Sequence, residues 1–277
     1  MAWVTAAEVK ASINFPTTGS PVSDEAINRF ILDAQDEIEK LFNTKFGNVE
    51  DSGTAGTAFT SITLGDSSKT WTADQFEDYV LWIYSGTGKG QYREIIENGT
   101  SILTVGTAFV TTPDATSKYR ITSLGWKEDL KMDGTGVDTQ FVEHFPLIDL
   151  HKLFVDSTKI SGTAVYQYED SGKLVLKDSA SKTIFSNNYP QLIDFYYTYG
   201  VYPIPRVIKR LCTVLAGMRT VAAKVSGSYT DFATISLPGG ISGSKGQPYV
   251  NLQAGIREMR LESENIIKSY GPFIYVV

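Results

Sequence analysis

The spacing of apolar residues predicts helices at both ends of the chain. Apolar side chains in the segment 23–42 recur every three or four positions, which is the period of a helix that buries one face. Ser23 stands where it could cap that helix. The same period returns over 206–225 and again over 251–269. Between those two segments, residues 226–248 are rich in Gly and Ser and predict a long loop.

The middle of the chain has a different pattern, typical of antiparallel strands. From residue 51 to residue 200, short β-branched and aromatic runs alternate with Gly, Ser, Thr and Asp. Asn98-Gly99 stands between two such runs and predicts a tight hairpin. The even spacing of the runs up to residue 125 favours a small barrel or sandwich.

Together these patterns predict an α+β fold: a helical-bundle core formed by both termini, with one or two inserted antiparallel β-domains. Residues 1–50 would supply the N-terminal helices of the core. Residues 51–125 would be an autonomous small β-barrel or sandwich, and residues 126–200 a second β-rich segment. Residues 201–277 would complete the core and end in a docking tail.

A glycine-rich stretch, IYSGTGKGQYREI, raises the question of a phosphate-binding loop. A phosphate loop of the G-x-x-x-x-G-K-[ST] type needs Ser or Thr after its lysine, but Gly90 follows Lys89. Such loops also lead into a helix N-terminus, whereas a β-prone run follows here. The stretch 85–90 is therefore predicted to be a hairpin turn, and no nucleotide cofactor is expected.

Composition limits the class of protein. The 277 residues are 42% hydrophobic and 20% charged, as in an ordinary folded domain. The net charge of −6 argues against broad binding to phosphate backbones. A single cysteine, Cys212, leaves no intramolecular disulfide and fits a reducing compartment. No apolar run approaches the ~20 residues that span a bilayer, so no membrane contact is expected.

Candidate catalytic and metal-binding residues are sparse. His144 and His151 are the two histidines, and with one cysteine they predict no zinc site. Cys212 fits a small buried apolar residue better than a nucleophile. There is no G-x-S-x-G motif, although a Ser-His-Asp arrangement of residues distant in sequence stays open. The sequence thus predicts no enzyme, no metal and no cofactor.

The two longest helical segments carry opposite charge. The segment 24–40 carries six acidic and two basic residues, and the segment 203–225 carries five basic residues and no acid. Opposite charges attract, so we expect these helices to be neighbours, within a subunit or across a contact between subunits. The alternatives are solvated faces, or a basic helix near nucleic acid. The candidate inter-helix or DNA-channel charges are Asp36, Glu37, Arg206, Lys209 and Arg210.

Three stretches resemble the head–tail connector (adaptor) proteins of tailed bacteriophages. The opening, VTAAEVKASINFP…SDEAINRFILDAQDEIEKLF, is similar to the short helix, loop and long amphipathic helix that begin those proteins. FYYTYGVYPIPRVIKRLCTVLA resembles a strand ending in Tyr197 and Gly200, followed by prolines that open a helix. HFPLIDLHKLFVD is similar to a strand pair in long phage neck proteins. The insert that contains the glycine-rich stretch also resembles small β-domains of virion proteins.

The resemblance implies a non-enzymatic component of the virion. Such proteins form a ring, usually of twelve subunits, beneath the portal, continue the DNA channel and offer the attachment surface for the tail. The implied partners are the portal protein, a tail or stopper protein, further copies of the chain, and packaged DNA through non-specific contact. The implied location is the virion neck, after assembly in the host cytoplasm. Smaller members are helical bundles with one hairpin, and this chain departs from them by its long β-rich middle.

The apolar end of the chain is a predicted docking element. Gly271-Pro272 ends the last helix, and five apolar residues follow that would need cover from water. They would dock on the portal or on a neighbouring subunit; the alternative is that they fold back on their own subunit. These residues are Phe273, Ile274, Tyr275, Val276 and Val277.

Two other functions stay open. The first is a glycan-binding or host-recognition virion protein, whose aromatic β-domains would hold sugars at Trp71, Trp82 and Trp126. The second is a hydrolase whose site residues are scattered along the chain.

Overall fold

A computed structural model describes residues 2–15, 20–227, 234–237, 241–244 and 248–270. Contacts divide the chain into two compact units: Met1–Phe42 with Ile204–Val277, and Asn43–Pro203. The described helices are α1 (Ala6–Ser12), α2 (Asp24–Phe42), α3 (Arg206–Gly227) and α4 (Pro248–Tyr270). The described strands are β1 (Val49–Thr54), β2 (Thr63–Gly65), β3 (Val80–Ser85), β4 (Tyr92–Asn98), β5 (Ile102–Val105), β6 (Lys118–Thr122), β7 (Gly125–Met132), β8 (Thr139–Phe141), β9 (Leu147–Val155), β10 (Thr158–Lys159), β11 (Val165–Tyr168), β12 (Lys173–Leu176), β13 (Ile193–Tyr199), β14 (Thr234–Leu237) and β15 (Ile241–Ser244).

The predicted fold class, with a helical-bundle core formed by both termini, is wrong. The described part of the chain is mostly β, with antiparallel strands in three main sheets, one of them a half-barrel. Two clusters of buried apolar side chains lie within these sheets. The prediction gave the helices too much weight because each long helix has a strong period, whereas each short strand carries a weak one.

The helices form where the sequence supplies a cap and one apolar stripe. Thr5 and Glu8 make a reciprocal capping box at the start of α1. Ser23 accepts a hydrogen bond from the Ala26 amide, at 3.3 Å, before α2. The apolar stripe of α2 is buried, and α3 packs against each of the other three helices. The helix α3 is therefore the centre of the helical unit.

The half-barrel is built from β1 to β6. Its strand order is β1-β6-β3-β4-β5-β2, and every pairing is antiparallel. The two predicted hairpins are confirmed, since β3 pairs with β4 around the glycine-rich turn and β4 pairs with β5 around Asn98-Gly99. Its concave side buries Leu81, Ile83, Ile95 and Tyr119, among others.

A second pair of sheets forms a sandwich within the same unit. The four-stranded sheet β10-β9-β13-β7 contributes Leu147, Leu153 and Phe195 to a buried cluster. The three-stranded sheet β11-β12-β8 contributes Leu174 and Leu176 to the same cluster. Burying one such side chain stabilises the fold by about 1.5–3 kcal/mol relative to leaving it in water. The shared cluster thus holds the two sheets face to face.

Two elements differ from the sequence patterns. HFPLIDLHKLFVD, which resembles a strand pair, contains the single long strand β9, whose pairing with β13 shifts register twice. The segment 226–248, predicted as a loop, contains the hairpin of β14 and β15 within its described part. Irregular register hides the two-residue period, because each shift moves the following side chains to the other face.

Gly134 supplies a test of the sandwich. A Cβ at this position would lie 1.9 Å from the Ser186 carbonyl oxygen and 2.6 Å from that of Phe185. Backbone atoms cannot move aside as a flexible side chain can, so we expect Gly134→Ala to lower the free energy of unfolding by about 1–3 kcal/mol. Urea unfolding measures the change. Gly162→Ala is the matched control, because a Cβ there meets nothing within 4 Å. Equal losses in the two variants would contradict the tight approach at Gly134.

Candidate functional site

The predicted helix charges form two ion pairs centred on α3. Glu37 of α2 accepts a hydrogen bond from Arg219 at 2.5 Å. Arg210 makes a two-point contact with Glu262 of α4, at 2.6 and 3.0 Å. Planar two-point contacts of this kind are the stronger form of ion pair. The basic residues of α3 therefore reach acids on helices from both ends of the chain.

The partners of these charges differ from the pairing suggested by sequence. Asp36 lies exposed, and so does Arg206 at the first residue of α3. Lys209 is half-buried in the same turn. Sequence reasoning counted Arg219 among the five bases of the segment 203–225 without pairing it to Glu37, and it missed Glu262, because the pairing depends on which faces of α2, α3 and α4 meet. The predicted docking residues Phe273, Ile274, Tyr275, Val276 and Val277 lie outside the described residues.

The glycine-rich turn is shaped by packing against residues 111–117. Gly86 and Gly88 have φ angles of +80° and +78°, which favour glycine. A Cβ on Gly86 would lie 2.1 Å from the Thr116 carbonyl oxygen. Gln91, which follows the turn, donates to the carbonyls of Gly88 and Thr111. These contacts account for the glycines without a bound phosphate.

A buried polar cluster lies where the half-barrel meets the four-stranded sheet. Arg93 of β4 donates to the Tyr92 carbonyl at 2.6 Å, to the Ala108 carbonyl at 3.1 Å and to Nδ1 of His151 at 3.3 Å. On the other side of its ring, Nε2 of His151 lies 2.8 Å from the hydroxyl of Thr198. Oδ2 of Asp149 lies 3.3 Å from Nδ1.

This cluster contains a hydroxyl, an imidazole and a carboxylate, as a catalytic triad does, but here an arginine also contacts the imidazole. Nδ1 of His151 lies 3.3 Å both from the Arg93 guanidinium, which can only donate, and from Oδ2 of Asp149, so the arginine competes with the carboxylate for that nitrogen. In a triad the carboxylate holds the Nδ1 proton, and Nε2 accepts from the nucleophile. Thr198 is also fully buried. The arrangement therefore suits a structural junction between sheets.

Burial and the nearby cations set the ionisation of the cluster. Burial, with the charges of Arg93 and Lys152, lowers the pKa of His151 to about 3. Burial raises the pKa of Asp149, although Arg93 opposes that change. Burial also lowers the pKa of Arg93. His151 is consequently neutral across the physiological range.

The three tryptophans proposed for sugar binding are all engaged in packing. Trp71 is buried, and its indole N–H donates to Asp51 at 2.6 Å. Trp82 stacks on Tyr92 of β4, with ring centroids 5.4 Å apart, and Arg120 of β6 lies 5.3 Å from its centroid. Because β4 and β6 flank β3 on opposite sides, both faces of Trp82 are covered. Trp126 meets Tyr196 edge to face.

The exposed aromatic residues of the sandwich lie elsewhere, on the outer side of the three-stranded sheet. We call this surface the tyrosine face. Across the sheet, Tyr168 pairs with Lys173, which pairs with Phe141; in the next row Tyr166 pairs with Val175, which pairs with Thr139. Phe141, Tyr166 and Tyr168 are 52%, 56% and 51% exposed. The alternation of Tyr166, Gln167 and Tyr168 along β11 is the signal that could have found this surface.

The described residues give little support to other chemistry. Among them, no group of three or more His, Cys, Asp or Glu side chains is placed to hold a metal ion. Burial raises the pKa of Cys212 to about 12, which keeps its thiol protonated and unreactive. Within the described residues, no helix has the length and apolar character needed to cross a bilayer.

Comparisons with known proteins do not add a relative. No model of a known protein family matches the chain, and no curated protein matches it. The assignment of a function therefore rests on the residues themselves.

The Glu37–Arg219 pair gives a prediction with a control in the adjacent residue. Glu37→Gln should lower the free energy of unfolding by no more than about 1 kcal/mol, since both side chains are partly exposed. The loss should shrink at high salt, which screens the pair. Asp36→Asn should leave stability unchanged at either salt concentration. Urea unfolding at low and high salt measures both variants. A loss in Asp36→Asn equal to that in Glu37→Gln would contradict the assigned pairing.

The His151 junction predicts a loss of stability in mild acid. The unfolded chain binds a proton at His151 near its ordinary pKa of ~6.5, whereas the folded chain does so only near 3. Stability should therefore fall as the pH drops below about 6.5. The raised pKa of Asp149 acts with the opposite sign, because the folded chain protonates it first and gains stability in acid. The test window is accordingly pH 6.5 to 5.

Urea unfolding across that window measures the slope of stability against pH. His151→Gln should reduce the slope of the unfolding free energy against pH by the amount that corresponds to at most one bound proton, because glutamine does not titrate. His144→Gln is the control: the pKa of His144 is also lowered by burial, but the contribution of His151 to the slope should persist. An unchanged slope in His151→Gln would contradict the junction.

Proposed function

We propose that this chain is a structural protein of a phage neck and not an enzyme. It forms a ring beneath the portal, continues the DNA channel and offers a surface for attachment of the tail. Its partners are the portal protein, a tail or stopper protein and further copies of itself. Its place is the virion neck, after assembly in the host cytoplasm.

One observation carries the proposal. Two of the segments that resemble the adaptor family stand on either side of the β-rich middle of the sequence, and their helices α2 and α3 pack on each other in one unit. The Glu37–Arg219 pair joins those helices directly. The β-rich residues 43–203 form the other unit and stand between these helices in sequence. A long insertion between two paired helices leaves their contact intact when the ends of the insertion return to the same place.

The first turn of α3 supports non-specific contact with DNA. Arg206, Lys209 and Arg210 all lie at this end of the helix, where the helix dipole already gives a positive potential. Glu262 compensates Arg210, which leaves Arg206 exposed and Lys209 half-buried. An exposed cation at a helix N-terminus suits contact with a phosphate backbone.

The mass of the assembled protein tests the proposal. We expect the purified chain, incubated with the portal protein of the same phage, to give a ring-sized complex by native mass spectrometry. Deletion of residues 272–277 should leave the melting temperature unchanged and prevent the complex from forming, because the deletion removes the apolar docking residues.

The Gly162→Ala variant serves as a folded control and should assemble like the unmodified chain. Assembly of the truncated chain at normal yield would end the docking role of the tail. If the unmodified chain forms no complex with the portal protein, the proposal of a neck protein is wrong.

A further inference from the structure

We infer that the tyrosine face binds an acidic polysaccharide in which uronic acids alternate with neutral sugars. The surface belongs to the sandwich, within the unit Asn43–Pro203. Three aromatic side chains that are each about half exposed share this one sheet face. Large apolar side chains gathered on one exposed surface mark a site of interaction more often than isolated ones do.

The aromatic rings define the first part of the ligand. Tyr166 and Tyr168 are two residues apart on β11, so their side chains rise from the same face about 7 Å from each other. Phe141 lies two strands away, on β8, in the same row as Tyr168. Exposed rings offer apolar surface to the C–H face of a sugar ring, and tyrosine hydroxyls add hydrogen bonds to its hydroxyl groups. An extended row of sugar rings therefore fits this surface.

The lysines define the charge of the ligand. Lys177 Nζ lies 4.5 Å from the ring centroid of Tyr166, and Lys173 Nζ lies 5.3 Å from that of Tyr168. Within the described part of the chain, no carboxylate lies within 4.0 Å of either amine. Lys177 Nζ donates one hydrogen bond to the Thr163 carbonyl at 2.6 Å, and its remaining donors and those of Lys173 can meet carboxylates of a ligand.

The spacing of the charges favours a sparsely charged polymer. The backbones of Lys173 and Lys177 are four residues apart, about 13 Å along an extended chain, and the two amines lie beside Tyr168 and Tyr166, so the surface presents two separate cations. Glu169 and Asp170 are exposed directly after Tyr168, so a polymer with a charge every few ångströms would meet repulsion there. Nucleic acid is disfavoured for this reason. A polysaccharide with one acid in every second sugar meets the lysines and avoids the carboxylates.

Calorimetric titration of the full chain with hyaluronate oligosaccharides tests the inference, because hyaluronate alternates a uronic acid with a neutral sugar. Tyr166→Ala with Tyr168→Ala should weaken binding at least tenfold. Lys173→Gln with Lys177→Gln should weaken it and remove its salt dependence. Tyr189→Ala is the matched control, because this tyrosine is 71% exposed elsewhere in the same unit and should not affect binding. Hydrogen exchange of the unmodified chain should show added protection of β11 and β12 with the ligand, which covers the case of a variant that misfolds.

Several results would overturn the inference. These are no measurable binding of hyaluronate, equal or tighter binding of neutral dextran, and equal or tighter binding of an oligo(dT) strand. A loss in Tyr189→Ala as large as that in the double tyrosine variant would also overturn it, as would protection that spares β11 and β12.

Discussion

The arrangement of the β-rich unit depends on one buried cation, Arg93. Its guanidinium lies between the half-barrel and the four-stranded sheet and is almost wholly removed from water. Such a charge costs several kcal/mol unless its donors are satisfied. Two backbone carbonyls, the Gln91 side chain and His151 accept from it, and the ring of Phe109 lies beside it. His151 can accept a hydrogen bond from Arg93 only while its ring is neutral. The protonation state of this residue in the four-stranded sheet is therefore tied to the position of the Arg93 side chain in the half-barrel.

Local structure could be predicted where a few neighbouring residues decide it. The cap at Ser23 and the hairpin at Asn98-Gly99 each follow from residues within one turn. The Arg93–His151 contact joins positions 58 residues apart, and nothing in their local sequence pairs them. The class of fold failed for a related reason. Four amphipathic helices are conspicuous in a sequence, but the sheets that hold most of the described buried side chains are made of short, irregularly registered strands.

The candidate site likewise has features that the sequence predicted and others that depend on long-range contacts. Opposite charge on two helices was visible in composition, and α2 and α3 are indeed neighbours. The partner of Glu37 is nevertheless Arg219, because the faces that meet set the pairing and the net charge of a helix does not. The tryptophans named for sugar binding are packed, and the exposed aromatic side chains of β11 are tyrosines. Trp71 and Trp82 are packed by long-range contacts, while Tyr166 and Tyr168 are exposed because β12 and β8 leave their outer face uncovered.

The central place of α3 has a consequence for the order of events during synthesis. The buried stripe of α2 leaves the ribosome with only α1 beside it, and its main partner follows about 160 residues later in the chain. Residues 43–203 emerge completely before α3 and can close their sheets in that interval, since their contacts are internal to the unit. Throughout this time Ile27, Ile31 and Ile38 have no helix α3 to cover them. Chaperone binding and self-association of the nascent chain are thus most favoured at its N-terminal helices, which are synthesised first.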